Sequence, residues 1–489
     1  MDKLISIFHR APKSVRDTLL YSLSAALIGA LSFILLPLLS RSMGEGGYGV
    51  FSIIASFTTI SSSFFFLGMT SAVQRFYFKF ETQHQRESVY NQGLAITFIG
   101  SVLQVVVVFS LLNPIAALLF PHDHHGTAIL LGTAYSSAQL IIAYISMSYR
   151  INRNPLGALI FSLSLLFISI FSLLILNSYG GLGRVELVYA TLLIASTVHI
   201  LIFSKSLVNR SFFCFTPIIT GNGLIKYGLI SVFASFAAQI FLSSDIIVAH
   251  RLMNPDSVGQ LAAVMRVASI YTILFVSPVN QVFPYLIYRE GSRSVAIKTL
   301  NTALIAFLSL SLFVVTLLSV CFYVLLPYLT SFAFSSHLLL VVYISLLVVL
   351  FNGIVGFSSI GLTFGLRPDL LAWSYLSASI IKFFLFFAFP WTSSLQGFLI
   401  LSAIASLFLN ILLFLLSSHF LNYNLFLGQA SYFAFQAFIA GLGFYLFSLH
   451  LAFGPARLVG SLLVFASLIS VYFSPSLRHS ISYVFPVKP

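Results

Sequence analysis

Residues 18–40 read TLLYSLSAALIGALSFILLPLLS, an apolar run of 23 residues without a charge, followed by RSMGEGGYG at 41–49. Wound as a helix, the run is about 35 Å long, enough to cross the roughly 30 Å hydrocarbon layer of a bilayer. Lipid offers no partner to an open backbone amide, so a chain crossing there closes its hydrogen bonds within a helix. Similar runs, separated by short polar stretches, continue along all 489 residues. Apolar and aromatic types make up 59% of the chain, Phe alone occurs 52 times, and charged residues reach only 7%. A soluble domain carries about a quarter charged residues. The expected fold is an all-α polytopic membrane protein.

Fourteen transmembrane helices are expected, near 18–40, 48–74, 89–112, 127–149, 155–177, 185–204, 227–250, 258–287, 296–326, 337–362, 370–389, 397–417, 429–449 and 457–474. Lys and Arg together number 24 against 11 Asp and Glu, and basic residues collect in cytoplasmic loops. With the N-terminus inside, eighteen of them fall on the cytoplasmic side, including Arg75, Lys79, Arg86, Arg150, Arg153 and Arg289. Four, Arg41, Arg184, Arg251 and Arg457, fall on the other side. That asymmetry gives an even number of spans with both termini cytoplasmic. Residues 1–17 read as a cytoplasmic segment rather than a cleaved signal, and 475–489 as a cytoplasmic tail. The link at 418–428 carries no Lys or Arg to orient it, so twelve spans plus a separate C-terminal pair is the alternative count. Cys214 and Cys321 stand far apart in apolar surroundings and read as buried thiols, without a disulfide framework or a metal motif.

The chain also repeats itself. RSMGEGGYG at 41–49 aligns with RLMNPDSVG at 251–259, matching Arg, Met and Gly at identical spacing across a displacement of 210 residues. Each block closes an odd-numbered span and opens the next. Because the displacement holds six spans, both copies keep one orientation, a parallel repeat about an axis along the membrane normal. The expected build is an N-terminal six-helix lobe over 18–210 and a C-terminal six-helix lobe over 221–420 around a central cavity. An extra helix pair follows at 429–474.

The stretch Leu36-Pro37-Leu-Leu-Ser-Arg41, then Gly44…Tyr48-Gly49-Val-Phe51, then Gly68…Ala72-Val-Gln-Arg75-Phe76, resembles the opening of Wzx-type polysaccharide-transport flippases. These belong to the multidrug/oligosaccharidyl-lipid/polysaccharide exporter superfamily. The resemblance implies a flippase that carries undecaprenyl-diphosphate-linked oligosaccharide from the cytoplasmic to the outer leaflet of the bacterial inner membrane. The product would serve O-antigen, capsule or exopolysaccharide assembly. It further implies membrane lipid, a polysaccharide polymerase and a chain-length regulator as partners. By the same resemblance, spans thirteen and fourteen match the two last helices that form a lipid-tail groove in peptidoglycan-precursor flippases. Family members bring basic residues into the cavity through their first spans, whereas this chain has none between Asp17 and Arg41.

Three ionisable residues fall inside spans, and such residues are rare in membranes and tied to function. They are Asp245 in span seven, Arg266 in span eight and Lys382 in span eleven. Eleven Leu, Ile and Phe residues between Leu370 and Phe389 contribute roughly −3 to −7 kcal/mol to insertion, against about +3 for a central Lys. The helix inserts, but the ammonium needs water or an anion beside it. Arg266 and Lys382 are candidate substrate-binding residues, since guanidinium and ammonium groups suit phosphate or acidic sugars. Asp245, on the antiparallel neighbour, either pairs with Arg266 as a helix staple or couples to protons. Arg75, Lys79 and Arg289 mark a candidate cytoplasmic entrance. Pro121-His122-Asp123-His124-His125 reads as a solvated outer loop rather than a metal site. His199 and His250 read as packed or interfacial, and no cofactor and no nucleic-acid partner are expected.

Two other classes compete. A cation-coupled multidrug exporter of the same superfamily would favour acidic residues in the membrane, where two bases stand against one acid here. A polysaccharide polymerase or glycosyltransferase needs a sizeable outer loop, and the longest here, Asn113–Gly126, carries no Lys or Arg.

Overall fold

The computed structural model describes residues 13–77, 82–121, 125–152, 154–204, 223–277, 293–334, 338–364 and 367–421, none of them in a strand. Helix α1 (Lys13–Phe65) has 53 residues, about 80 Å, more than twice the thickness of a bilayer core. It must therefore turn back, and it does so at Gly44, where φ is 70° and ψ is −176°. Glycine reaches that left-handed φ without a Cβ clash. The predicted turn between spans one and two is thus a single non-helical residue inside RSMGEGGYG. A second break follows at Leu67 and Gly68, with φ of 54° and 59°, which divides the expected second span and starts α2 (Met69–Tyr77).

The chain continues through α3 (Gln83–Ser110), α4 (Leu112–Leu119), α5 (Gly126–Ile151), α6 (Pro155–Ser178), α7 (Val185–Ser204), α8 (Gly223–Leu252) and α9 (Pro255–Tyr271). A π-helical turn at Thr272–Val276 precedes α10 (Arg293–Leu329), α11 (Leu338–Ser358), the short α12 (Ile360–Phe364), α13 (Pro368–Ala388) and α14 (Leu395–Leu421). Among the described residues, 11 helices are long and apolar enough to cross a membrane. The bend in α1 lets that helix carry the first span and most of the second. Spans three to seven and nine to twelve each fall on helix, and residues 278–287 of span eight lie outside the described residues. Spans thirteen and fourteen lie outside the described residues.

The chain forms two compact units that divide at Gly259, the last residue of the second repeat block. In the first unit α5 is the central helix, packed against α3, α7 and α1. Helix α8, the expected seventh span, packs on α1 and α2. Glycines make that packing close, because a residue without a side chain lets two backbones approach. A Cβ on Gly68 would stand 2.7 Å from the Gly228 carbonyl, and one on Gly228 would stand 2.8 Å from the Leu67 carbonyl. Where α9 begins against α1, a Cβ on Gly49 would stand 3.0 Å from the Pro255 carbonyl, and one on Gly259 would strike the Glu45 carbonyl. Between these seats Phe64 meets Phe236 edge-on, 5.5 Å between centroids.

In the second unit α11 is buried on nearly every side, as expected for a helix that is apolar all round. Its main partner is α14. Asn410 Nδ2 donates to the Phe351 carbonyl at 2.7 Å, and Ser358 Oγ donates to Asn410 Oδ1 at 2.9 Å. Cys321 departs from expectation: it is exposed on α10, alongside Leu317, Val320, Val324 and Leu325. A thiol is apolar enough to face lipid, and large apolar residues occur on both the lipid-facing and the protein-facing sides of a membrane helix. Cys214 lies outside the described residues.

Candidate functional site

Asp245 and Arg266 sit deeper than helix ends read from the sequence imply, because their helices run longer. Lys382, by contrast, lies six residues from the end of its helix at Ala388. Asp245 stands seven residues before the end of α8 at Leu252, about 10 Å along the axis. Arg266 stands eleven residues into α9, about 16 Å from its start. Lys382 lies fourteen residues into α13, about 21 Å from its start. Asp245 belongs to the first unit, and both bases belong to the second. Asp245 is 3% exposed and Lys382 only 1%, while Arg266 is half-buried.

The setting of Lys382 is aromatic. Its Nζ lies 5.9 Å from the centroid of the Phe386 ring, one helical turn further along, within the range of a cation–π contact. Phe386 in turn stacks on Phe398 of α14, with centroids 4.1 Å apart and planes 11° from parallel. A buried ammonium is costly unless it is paired or hydrogen-bonded, and Lys382 has partners beyond this ring. The pair of phenylalanines holds it in place, a seat that the insertion arithmetic did not reveal.

Uncharged polar groups, which the sequence reading passed over, organise the interior of the first unit. Gln104 of α3 is fully buried. Its Nε2 reaches Ser62 Oγ at 3.0 Å, Ser136 Oγ at 3.2 Å and Ser61 Oγ at 3.4 Å. Its Oε1 accepts from Ser137 Oγ at 3.0 Å. One amide thereby ties α1, α3 and α5. Gln139 Nε2 donates to Ser196 Oγ at 3.0 Å, tying α5 to α7. His199, expected to be packed, is fully buried, with Nε2 3.0 Å from Ser164 Oγ and 3.1 Å from the Phe161 carbonyl. These contacts are interhelical glue, because a polar group in hydrocarbon must find its partner inside the protein. The signal for Gln104 was available as a lone amide in an apolar span.

The two ends of the first unit differ in character. Near one end Phe120 lies between His125 and His250, with centroids 4.9 and 5.5 Å away. His125 Nδ1 is 3.9 Å from Glu186 Oε1, and Arg251 donates to the Leu118 carbonyl. Toward the other end, Thr82 caps α3 by accepting from the Gln85 amide at 3.4 Å, which sets Arg86 in the helix's first turn. The Arg86 guanidinium lies 5.9 Å from the Tyr77 ring centroid. The Tyr77 hydroxyl donates to Asn152 Oδ1 at 3.5 Å, and Asn152 is the residue that ends α5. Tyr144 adds a 2.7 Å hydrogen bond to the Tyr90 carbonyl.

Of the candidate entrance residues, Arg75 falls on α2 by its backbone. Its side chain, Lys79 and Arg289 lie outside the described residues, as do His122, Asp123 and His124. Among the described residues no group of three or more His, Cys, Asp or Glu could hold a metal ion.

Comparison with known proteins gives a consistent result. The family model described as "Polysaccharide biosynthesis protein" matches residues 14–288, more than half of the chain. A comparison with curated proteins found no significant match. Among solved structures, the chain is similar to a lipid II flippase MurJ in an inward closed conformation. The TM-score is 0.67 at 16% identity, covering 93% of this chain and 99% of that one. It is similar also to a multidrug resistance MATE family transporter of the MOP superfamily in an inward-facing conformation. There the TM-score is 0.60 at 14% identity, with 83% and 94% covered. A mutant of the Vibrio cholerae MATE transporter VcmN gives 0.53 at 14% identity, with 84% and 98% covered. At these identities the likeness is one of fold.

Proposed function

Because the chain belongs to the polysaccharide biosynthesis protein family, we propose that it is a flippase for a lipid-linked oligosaccharide. It moves undecaprenyl-diphosphate-linked sugars from the cytoplasmic to the outer leaflet of the bacterial inner membrane, feeding assembly of a surface polysaccharide. The observation that carries this reading is the family match over residues 14–288 in a chain with the flippase and transporter fold of the MOP superfamily. The charge in the membrane agrees with it. Arg266 and Lys382 are suited to an anionic substrate, and we assign them to the phosphates or acidic sugars of the cargo. The same fold serves multidrug transporters, which makes drug export the rival; a cationic cargo would call for acidic residues where this chain carries two bases.

Deletion of the gene tests the proposal. The lipid-linked oligosaccharide should accumulate and stay inaccessible from outside, and the surface glycan should be lost while the enzymes that assemble its unit remain active. A normal glycan together with raised sensitivity to cationic drugs would overturn the flippase reading and support drug export.

Orientation is tested separately, since the eighteen-to-four asymmetry of basic residues predicts both termini inside. In a background lacking Cys214 and Cys321, a single cysteine at the exposed Ser178 should react with an impermeant thiol reagent from outside intact cells. One at the exposed Asn152 should react only after permeabilisation. The reverse pattern would invert the topology and with it the direction of transport.

A further inference from the structure

The chain has only two tryptophans, Trp373 and Trp391, and both stand on the outward side of α13 and the turn that follows it. Trp373 is 68% exposed and Trp391 65%. The side chains exposed between them, Ile380, Phe384, Phe387, Ala388, Phe389 and Pro390, are all apolar. Beyond the indoles the surface turns polar. Ahead of Trp373, Arg367 donates to Asp369 through Nε at 3.1 Å and Nη2 at 2.9 Å, and both residues are exposed. After Trp391 stand the exposed Ser393 and Ser394. An indole suits each border, because its ring is apolar and its N–H seeks a polar partner.

The distance between the borders fits a bilayer. Eighteen residues separate the indoles, about 27 Å at the helical rise, against a hydrocarbon layer of roughly 27–30 Å. The chain leaves the α-helix after Ala388 for a 3-10 turn at Pro390–Ser393, yet Trp391 stays at the end of the hairpin. Phe386 stacks on Phe398 of α14, so the two helices are level there and the chain between them reverses near Trp391. Lys382 lies nine residues from each indole, about 13–14 Å. From Trp373 that is two and a half turns of helix, which points Lys382 into the protein, where it is buried. A second copy of the chain is the other conceivable cover for this face, but it has no reason to change character at two levels one bilayer apart. Lipid has that reason.

We propose that the outward face of α13 is a lipid-contact strip that fixes the depth of the helix. Trp373 and Trp391 stand at the two headgroup levels and hold Lys382 at the bilayer midplane. A slide of one turn, about 5.4 Å, would draw one indole into hydrocarbon and push the other into water, so the pair resists sliding in both directions. The depth holds whatever the protein carries; that a cargo anion meets Lys382 there rests on the reading in the preceding subsection.

With two tryptophans, the full chain is its own fluorescent probe. It is reconstituted in phosphatidylcholine vesicles whose acyl chains carry bromine, a contact quencher, either near the headgroup or near the chain end. The wild type, with both indoles, should lose more fluorescence to the shallow bromine than to the deep one. Trp373→Phe and Trp391→Phe, which leave one indole each, should both keep that preference. Replacing both tryptophans and adding Phe384→Trp puts one indole on the exposed face two residues past Lys382, and there the preference should reverse. Thermal midpoints report the folding of each variant. A border indole that neither bromine quenches would overturn the strip, because protein such as a second copy would then cover it. Deep bromine quenching a border indole as strongly as shallow bromine, or shallow bromine winning at position 384, would overturn the depth assigned to Lys382. None of these readings involves transport, so a failure of the strip and a failure of the flippase reading appear in different experiments.

Discussion

Gly259→Ala should be the most damaging single methyl that can be added to the first unit, costing about 3 kcal/mol or more through overpacking against backbone. The new Cβ would fall on the carbonyl of Glu45, with the Glu45 Cα only 3.1 Å away. Backbone cannot rotate aside as a side chain can, so α1 and α9 would have to separate where they cross. The other glycines of the two repeat blocks grade the effect. At Gly49 the built Cβ meets the Pro255 carbonyl at 3.0 Å, a tight contact that a shift of a few tenths of an ångström relieves. At Gly44 nothing lies within 4 Å of the built Cβ, but φ of 70° with ψ of −176° is a conformation essentially confined to glycine, a cost of about 1–3 kcal/mol for an L side chain. Thermal midpoints in detergent should therefore be lowest for Gly259→Ala, with Gly44→Ala and Gly49→Ala both above it. A Gly259→Ala protein as stable as the wild type would refute the close crossing of these two turns.

That crossing shows where sequence and structure part company. The glycines at 49 and 259 were legible as a repeat, because equal spacing is a property of the string. Their contact was not, since it depends on how the turns after Arg41 and Arg251 fold back on each other. The spans were legible for a different reason: lipid imposes one solution on the backbone, and hydropathy alone locates it. Within the spans that advantage reverses. Cys321, read as buried, faces outward, because large apolar residues occur both toward lipid and toward protein. Gln104 escaped notice although it ties three helices, since an uncharged amide raises no alarm in a charge count. Arg86 was visible only as one more cytoplasmic cation; its perch on Tyr77 needs the register of the α2–α3 hairpin. Lys382 lies between these cases: its need for a partner followed from the insertion arithmetic, and its seat on Phe386 and Phe398 followed from the packing of α13 on α14.

Replacing Lys382 by Met should abolish or reduce transport about 10- to 100-fold, the scale of a lost hydrogen bond to a charged group, while the protein still inserts and accumulates. Met nearly conserves the volume, fits the aromatic seat and removes only the charge. It also makes α13 more apolar, so insertion improves. Lys382 is 1% exposed, so in the proposed role a cargo anion reaches it only when the surrounding helices part. The competing role is purely structural, with Lys382 closing a buried polar pair. In that case Lys382→Met strands the partner at a cost of about 3–5 kcal/mol, and transport falls only in proportion to abundance. Complementing the deletion strain separates the two, reading surface glycan against immunoblotted protein. Arg266→Gln belongs in the same experiment, because Arg266, in the same unit and about 16 Å into its helix, is assigned to the same anion. Arg266→Lys should recover part of the activity at most, since a point charge cannot reproduce a bidentate contact. Normal glycan per molecule in both Lys382→Met and Arg266→Gln would remove the intramembrane bases from substrate binding.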